Sequence, residues 1–92
     1  MKPIAPKPIY DVIIEYRSDD KRIITLHLAD HAVCGFLSPV VMNSELSFWR
    51  VSTNEALKID LFLSKNYSVE SIEAFLIATL KYLNFNYIFA QP

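Results

Sequence analysis

Between Tyr10 and Arg17 the chain alternates: Tyr10, Val12, Ile14 and Tyr16 fall on one side, and Asp11, Ile13, Glu15 and Arg17 on the other. A period of two is the spacing of a half-buried β-strand, because successive side chains of an extended chain point to opposite faces. The period returns at Ile24, Leu26 and Leu28. It returns again where Leu57, Ile59, Leu61 and Leu63 alternate with Lys58, Asp60, Phe62 and Ser64. Such a chain builds a sheet and must cover one face of it.

The polar cluster Ser18-Asp19-Asp20-Lys21 separates the first two strands and predicts a hairpin. A two-residue turn at Asp19-Asp20 would pair Tyr16 with Ile23 and join unlike faces, so a loop of about three or five residues is expected, with an Asp in the left-handed conformation. Glu45 to Val51 reads as a third strand with apolar residues on both faces, leading through a Ser52-Thr53-Asn54-Glu55 turn into the strand at 57–64. Ser52 and Glu55 also have capping-box spacing, which would open a helix instead; four period-two matches favour the strand. Ala29 to Ser44 holds the one glycine, Gly35, and a Ser38-Pro39 turn signal, and predicts irregular loop or a short helical turn.

The last element is the clearest. Ser68 is a natural N-cap, Glu70 and Glu73 sit in the positively polarised first turns, and Val69, Ile72, Phe75, Leu76, Leu80 and Leu83 share a broad face. Asn84 can supply a left-handed C-cap, after which Asn86 to Phe89 forms a short fifth strand or a packed tail. The expected fold class is α+β: a mainly antiparallel sheet of four to five strands, with one C-terminal amphipathic helix packed on one face. Residues 1–9, with prolines at 3, 6 and 8, form an extended arm, and 10–92 a single domain.

The chain has 92 residues, a formal charge of −1, 52% hydrophobic residues and one cysteine. Its mean hydropathy of +0.22 excludes intrinsic disorder. The apolar fraction exceeds what so small a domain readily buries, which points to a protein partner or a second copy of the chain. A lone Cys34, no secretory h-region and no run of ~20 apolar residues lead us to expect a cytoplasmic protein without a membrane span.

Specific chemistries find little support in the residue pattern. A single glycine leaves no phosphate-binding loop, so no nucleotide cofactor or small-molecule substrate is expected. His27, Asp30, His31 and Cys34 are metal-ligand types, but His27 belongs to a strand, and a structural zinc site wants four ligands where the chain has no second Cys and no third His. Cys34 with His27 or His31 as base and Asp30 as orienting acid is the arrangement a thiol enzyme would need. An isolated cysteine between Val33 and Phe36 reads more simply as a small buried hydrophobe. No catalytic, metal or cofactor residues are therefore assigned. Tyr10, Tyr16, Phe48 and Trp49 on a sheet could stack unpaired bases, yet the basic residues Arg17, Lys21 and Arg22 are offset by Asp19 and Asp20.

Protein binding remains. The expected function is stoichiometric binding to a protein, as in small inhibitors, immunity or antitoxin-like proteins and phage accessory proteins, or self-association as a homodimer. This is an analogy of size and composition. Tyr16, Asp19, Asp20, Phe48, Trp49 and Arg50 are the candidate contact residues, since Trp, Tyr and Arg dominate interface hot spots. A single-stranded nucleic-acid binder is the alternative, and a small enzyme using Cys34 the third reading.

Overall fold

The computed structural model describes residues 10–42, 49–55 and 57–90. The element order is β1 (Val12–Tyr16), β2 (Ile23–Leu28), α1 (His31–Met42), β3 (Trp49–Glu55), β4 (Lys58–Leu63), α2 (Val69–Tyr82) and β5 (Tyr87–Ala90). The strands form one sheet in the order β3-β4-β2-β1-β5. The α+β class is as expected. The expectation of a mainly antiparallel sheet with one C-terminal helix is corrected: β1 and β5 run parallel, making the sheet mixed, and a helix also stands between β2 and β3. The expected arm over 1–9 and Phe48 lie outside the described residues.

The β1–β2 register pairs Tyr16 with Ile24, Ile14 with Leu26 and Val12 with Leu28, so like faces meet. Arg17 N–H donates to Ile23 O at 2.7 Å, closing the hairpin over residues 18–22, the longer of the two expected loops. The left-handed residue is Lys21 rather than an Asp. Asp20 is occupied instead as an acceptor, from Arg22 N–H at 3.1 Å and Ser18 Oγ–H at 2.7 Å. β3 runs to Glu55, through residues expected in the turn. Its pairing with β4 is irregular between Ser52 and Glu55, and the extended chain there excludes the capping-box helix.

Where irregular loop or a short helical turn was expected, the chain forms the twelve-residue helix α1. Asp30 Oδ1 accepts from Val33 N–H at 3.0 Å, a side-chain cap, and Val33, Leu37 and Val41 are buried at i, i+4 and i+8. That stripe outweighs Gly35 and Pro39, which both lie on the exposed side. In α2 the Ser68 hydroxyl accepts from Ser71 N–H at 3.1 Å, and Asn84, at φ 62°, ends the helix as expected.

Topology explains why both helices lie on one face. β2 and β3 point the same way across β4, and β4 and β5 point the same way across β2 and β1, so each helix is a crossover between parallel strands. Right-handed crossovers starting from oppositely directed strands, and moving in opposite directions, place their helices on the same side. Burial agrees: Val12, Ile14, Ile24, Leu26, Ile59 and Leu61 from one sheet face join Leu37 of α1 and Ile72, Leu76 and Leu80 of α2 in one core. β1-β2-α1 and β3-β4-α2 thus repeat one arrangement about the centre of the sheet, with β5 added outside β1.

Candidate protein-binding surface

Covering one sheet face leaves two surfaces free: the outer side of the helices and the other side of the sheet. The open sheet face follows from the registers. One row across it is Ile88, Ile13, His27 and Lys58, and the next is Ala90, Glu15, Thr25 and Asp60. Ile13, Ile23 and Ile88 are exposed there by 37–38%. Polar pairs interrupt them. Thr25 Oγ1 donates to Asp60 Oδ1 at 2.7 Å, and Glu15 Oε1 lies 2.8 Å from His27 Nε2 and 3.3 Å from Arg17. The His27 hydrogen bond is the main cause that holds the Glu15 carboxyl below its ordinary pKa.

The outer face of α1 is different. Ala32, Gly35, Phe36, Pro39 and Val40 are all exposed, and their i, i+3, i+4, i+7, i+8 spacing makes them one stripe. Phe36 is 64% exposed. From Ala32 to Met42 the helix carries no charged residue, so this face has no solvated rim of its own. Two residues of the stripe are locally unfavourable in a helix. A Cβ added at Gly35 would meet nothing within 4 Å, and its φ is not positive. Pro39 has no N–H to give the carbonyl four residues back, which is that of Gly35.

The candidates from sequence fall apart in space. The Tyr16 hydroxyl donates to Glu73 Oε2 at 2.5 Å, its ring stacks on Phe89 with centroids 5.9 Å apart, and Lys21 Nζ sits 5.1 Å from the ring centre. Burial, with the hydrogen bond to Glu73, raises the Tyr16 pKa far above its ordinary value. Tyr16 therefore clasps β1, α2 and β5 together. Asp19 is exposed in the hairpin loop and Asp20 shapes it. Trp49 and Arg50 open β3, registered against Leu63 and Phe62. β1 and β3 are separated by β2 and β4, about 14 Å at the usual strand spacing, so these residues do not form one patch with Tyr16.

Of the metal-ligand types, His27 lies on the open sheet face while Cys34 is half-buried against the core on the other side. No group of three potential ligands comes together among the described residues. An open cleft near the end of α2 is lined by Tyr10, Lys81, Asn84, Phe85, Asn86 and Tyr87, without a carboxylate. No helix among the described residues is long and apolar enough to cross a membrane. Comparison with protein-family models, curated proteins and solved structures finds no match to this chain.

Sequence reasoning missed Phe36 and Val40. Their signal was present in the uncharged run from Ala32 to Met42, but Gly35 and Pro39 read there as helix breakers.

Proposed function

We propose that this chain is a small, non-enzymatic protein-interaction module that acts by stoichiometric binding, with the outer face of α1 as its contact surface. The observation that carries the reading is the uncharged α1 stripe with Phe36 64% exposed at its centre. A helix that is apolar all round is normally enclosed, and α1 is enclosed on one side only. Aromatic anchors set among small residues are the makings of an interface hot spot.

The alternatives draw less support from the same geometry. Tyr16, Tyr87 and Phe89 register on the covered side of the sheet, and the open side sets Glu15 and Asp60 among His27 and Lys58, so it offers no continuous positive track for a phosphate backbone. A thiol enzyme would need imidazole hydrogen-bonded to Cys34; His27 is held by Glu15 across the sheet, and His31, one turn back on α1, makes no hydrogen bond to Cys34 among the described residues. Cys34 as a free thiol suits a reducing compartment such as the cytoplasm.

The test is a photo-crosslinking residue placed at position 36 in the cell of origin, with the same probe at exposed Asn66 as control. One discrete adduct of stoichiometric mass, found at 36 alone and lost when Val40→Glu is added, is expected. No adduct at 36, or the same smear at both positions, refutes the reading.

A further inference from the structure

We infer that the occupant of the helical face is a second copy of this chain, docked by a two-fold rotation that lays α2 antiparallel on the partner's α2. The inference rests on the interaction reading above and names its partner.

The argument begins with α2. Its buried residues Ile72, Leu76, Thr79 and Leu80 define an inner side, and the outer side carries Glu70, Ala74, Ala78 and Lys81, all exposed. Glu70 and Lys81 stand about three turns apart, ~16 Å along the axis, and within about 20° of the same direction around it. One charge of each sign therefore sits at either end of the outward line, with only the methyl groups of Ala74 and Ala78 between. Neither charge has an ion-pair partner among the described residues, while Glu73, which points elsewhere, is taken by Tyr16.

A closed two-fold contact must be complementary to itself: what residue i meets in j, j must meet in i. This line meets the condition in the antiparallel sense only. With the axis level with the middle of α2, Glu70 faces the partner's Lys81 at one end and Lys81 faces the partner's Glu70 at the other. Ala74 then lies over the partner's Ile77, while Tyr82, 88% exposed, stands about 40° around the helix from Ala78 and flanks the contact beside Lys81. In the parallel sense like charges would coincide at both ends, a costly arrangement. The same rotation brings the outward stripe of α1 onto the partner's helical layer and takes Phe36 out of water. The stripe is uncharged, so it adds no repulsion, and Gly35 projects no side chain from it.

Area sets the strength. Helices of about 18 and 21 Å, each ~10 Å wide, present a footprint of roughly 400 Å² per copy, or about 800 Å² in all, under the ~1,200–2,000 Å² of stable complexes. A reversible dimer dissociating near about 100 µM is expected.

Sedimentation velocity on the full chain from about 10 µM to 1 mM tests this. The mass should rise with concentration from 10.6 kDa towards twice that value. Glu70→Lys and Lys81→Glu should each weaken association by roughly tenfold, and the double swap Glu70→Lys/Lys81→Glu should restore it, because the exchanged charges still meet in the antiparallel pair. Circular dichroism of each variant confirms that it is folded before its mass is read. A mass fixed at 10.6 kDa throughout, or a dimer indifferent to the single swaps, or one not rescued by the double swap, overturns the inference. A Phe36-site adduct to a different protein would overturn it too, and would leave the interaction reading standing.

Discussion

Replacing Gly35 by alanine should stabilise the folded monomer while disturbing what docks on it. Gly35 lies inside α1 with no positive φ, and the space a methyl group would enter is empty. Glycine inside a helix is less favourable than alanine by about 0.5–1 kcal/mol, chiefly because the unfolded chain has more freedom to lose. In a domain of this size that difference raises the melting temperature by roughly 2–8 °C. Leu37, two residues on, faces inward and is fully buried, so Leu37→Ala should instead lower stability by about 2–5 kcal/mol. The assay is thermal unfolding at about 5 µM, below the expected dimer dissociation, followed by sedimentation near 1 mM, where a methyl group added to the docked face weakens association. A Gly35→Ala chain that melts at or below the parent temperature would refute the claim that nothing in the fold requires glycine there. With it would go the argument that glycine at 35 serves an interface.

Tyr16→Phe removes the hydroxyl from Glu73 and should cost about 1 kcal/mol at neutral pH by urea titration. Because folding raises the Tyr16 pKa, the folded chain keeps a proton that the unfolded chain releases, so parent stability should fall as pH climbs past the ordinary tyrosine range near ~10. The Phe variant should lack that slope; an identical alkaline profile would contradict it. His27→Ala should move the Glu15 titration, followed by carboxyl NMR, back up towards its ordinary value; since folding lowers that pKa, the stability it lends is present above the ordinary carboxylate range and is lost as pH falls through the folded value. Arg22 reaches the carbonyls of Ser64 and Tyr67, and Arg22→Ala should cost roughly 1–2 kcal/mol by untying the β4–α2 connection from β2. A variant as stable as the parent would show that these bonds merely replace hydration.

What could be read from the residues divides along a physical line. β1, β2, β4 and α2 declare themselves because their buried residues recur at the period of a single local element, as Val12 and Ile14 do, or Ile72, Leu76 and Leu80. α1 does not, because its stabilisation comes from tertiary burial of Val33, Leu37 and Val41, which overrides the local cost of Gly35 and Pro39. The same cause hid the candidate surface: a helix mistaken for a loop has no outward face to examine. Parallel pairing of β5 with β1 is set by the crossover through α2, a relation no window of neighbouring residues contains. Tyr16 was legible as an amphipathic strand residue, but Glu73, the partner that makes it a clasp, lies 57 positions away.

The order of the strands bears on how the chain comes off the ribosome. The four strands β1 to β4 are complete once Leu63 has emerged, but α2, which brings Ile72, Leu76 and Leu80 onto the core, and β5, which completes the sheet, follow them in the chain. At ~5–20 residues per second, the stretch from Ser64 to Ala90, the end of β5, takes on the order of one to five seconds to follow it. During that interval Ile14, Leu26 and Ile59 lie under one helix instead of two. A nascent chain of this topology is therefore most exposed to holding chaperones, and to pairing with its neighbours on a polysome, between the emergence of β4 and that of α2.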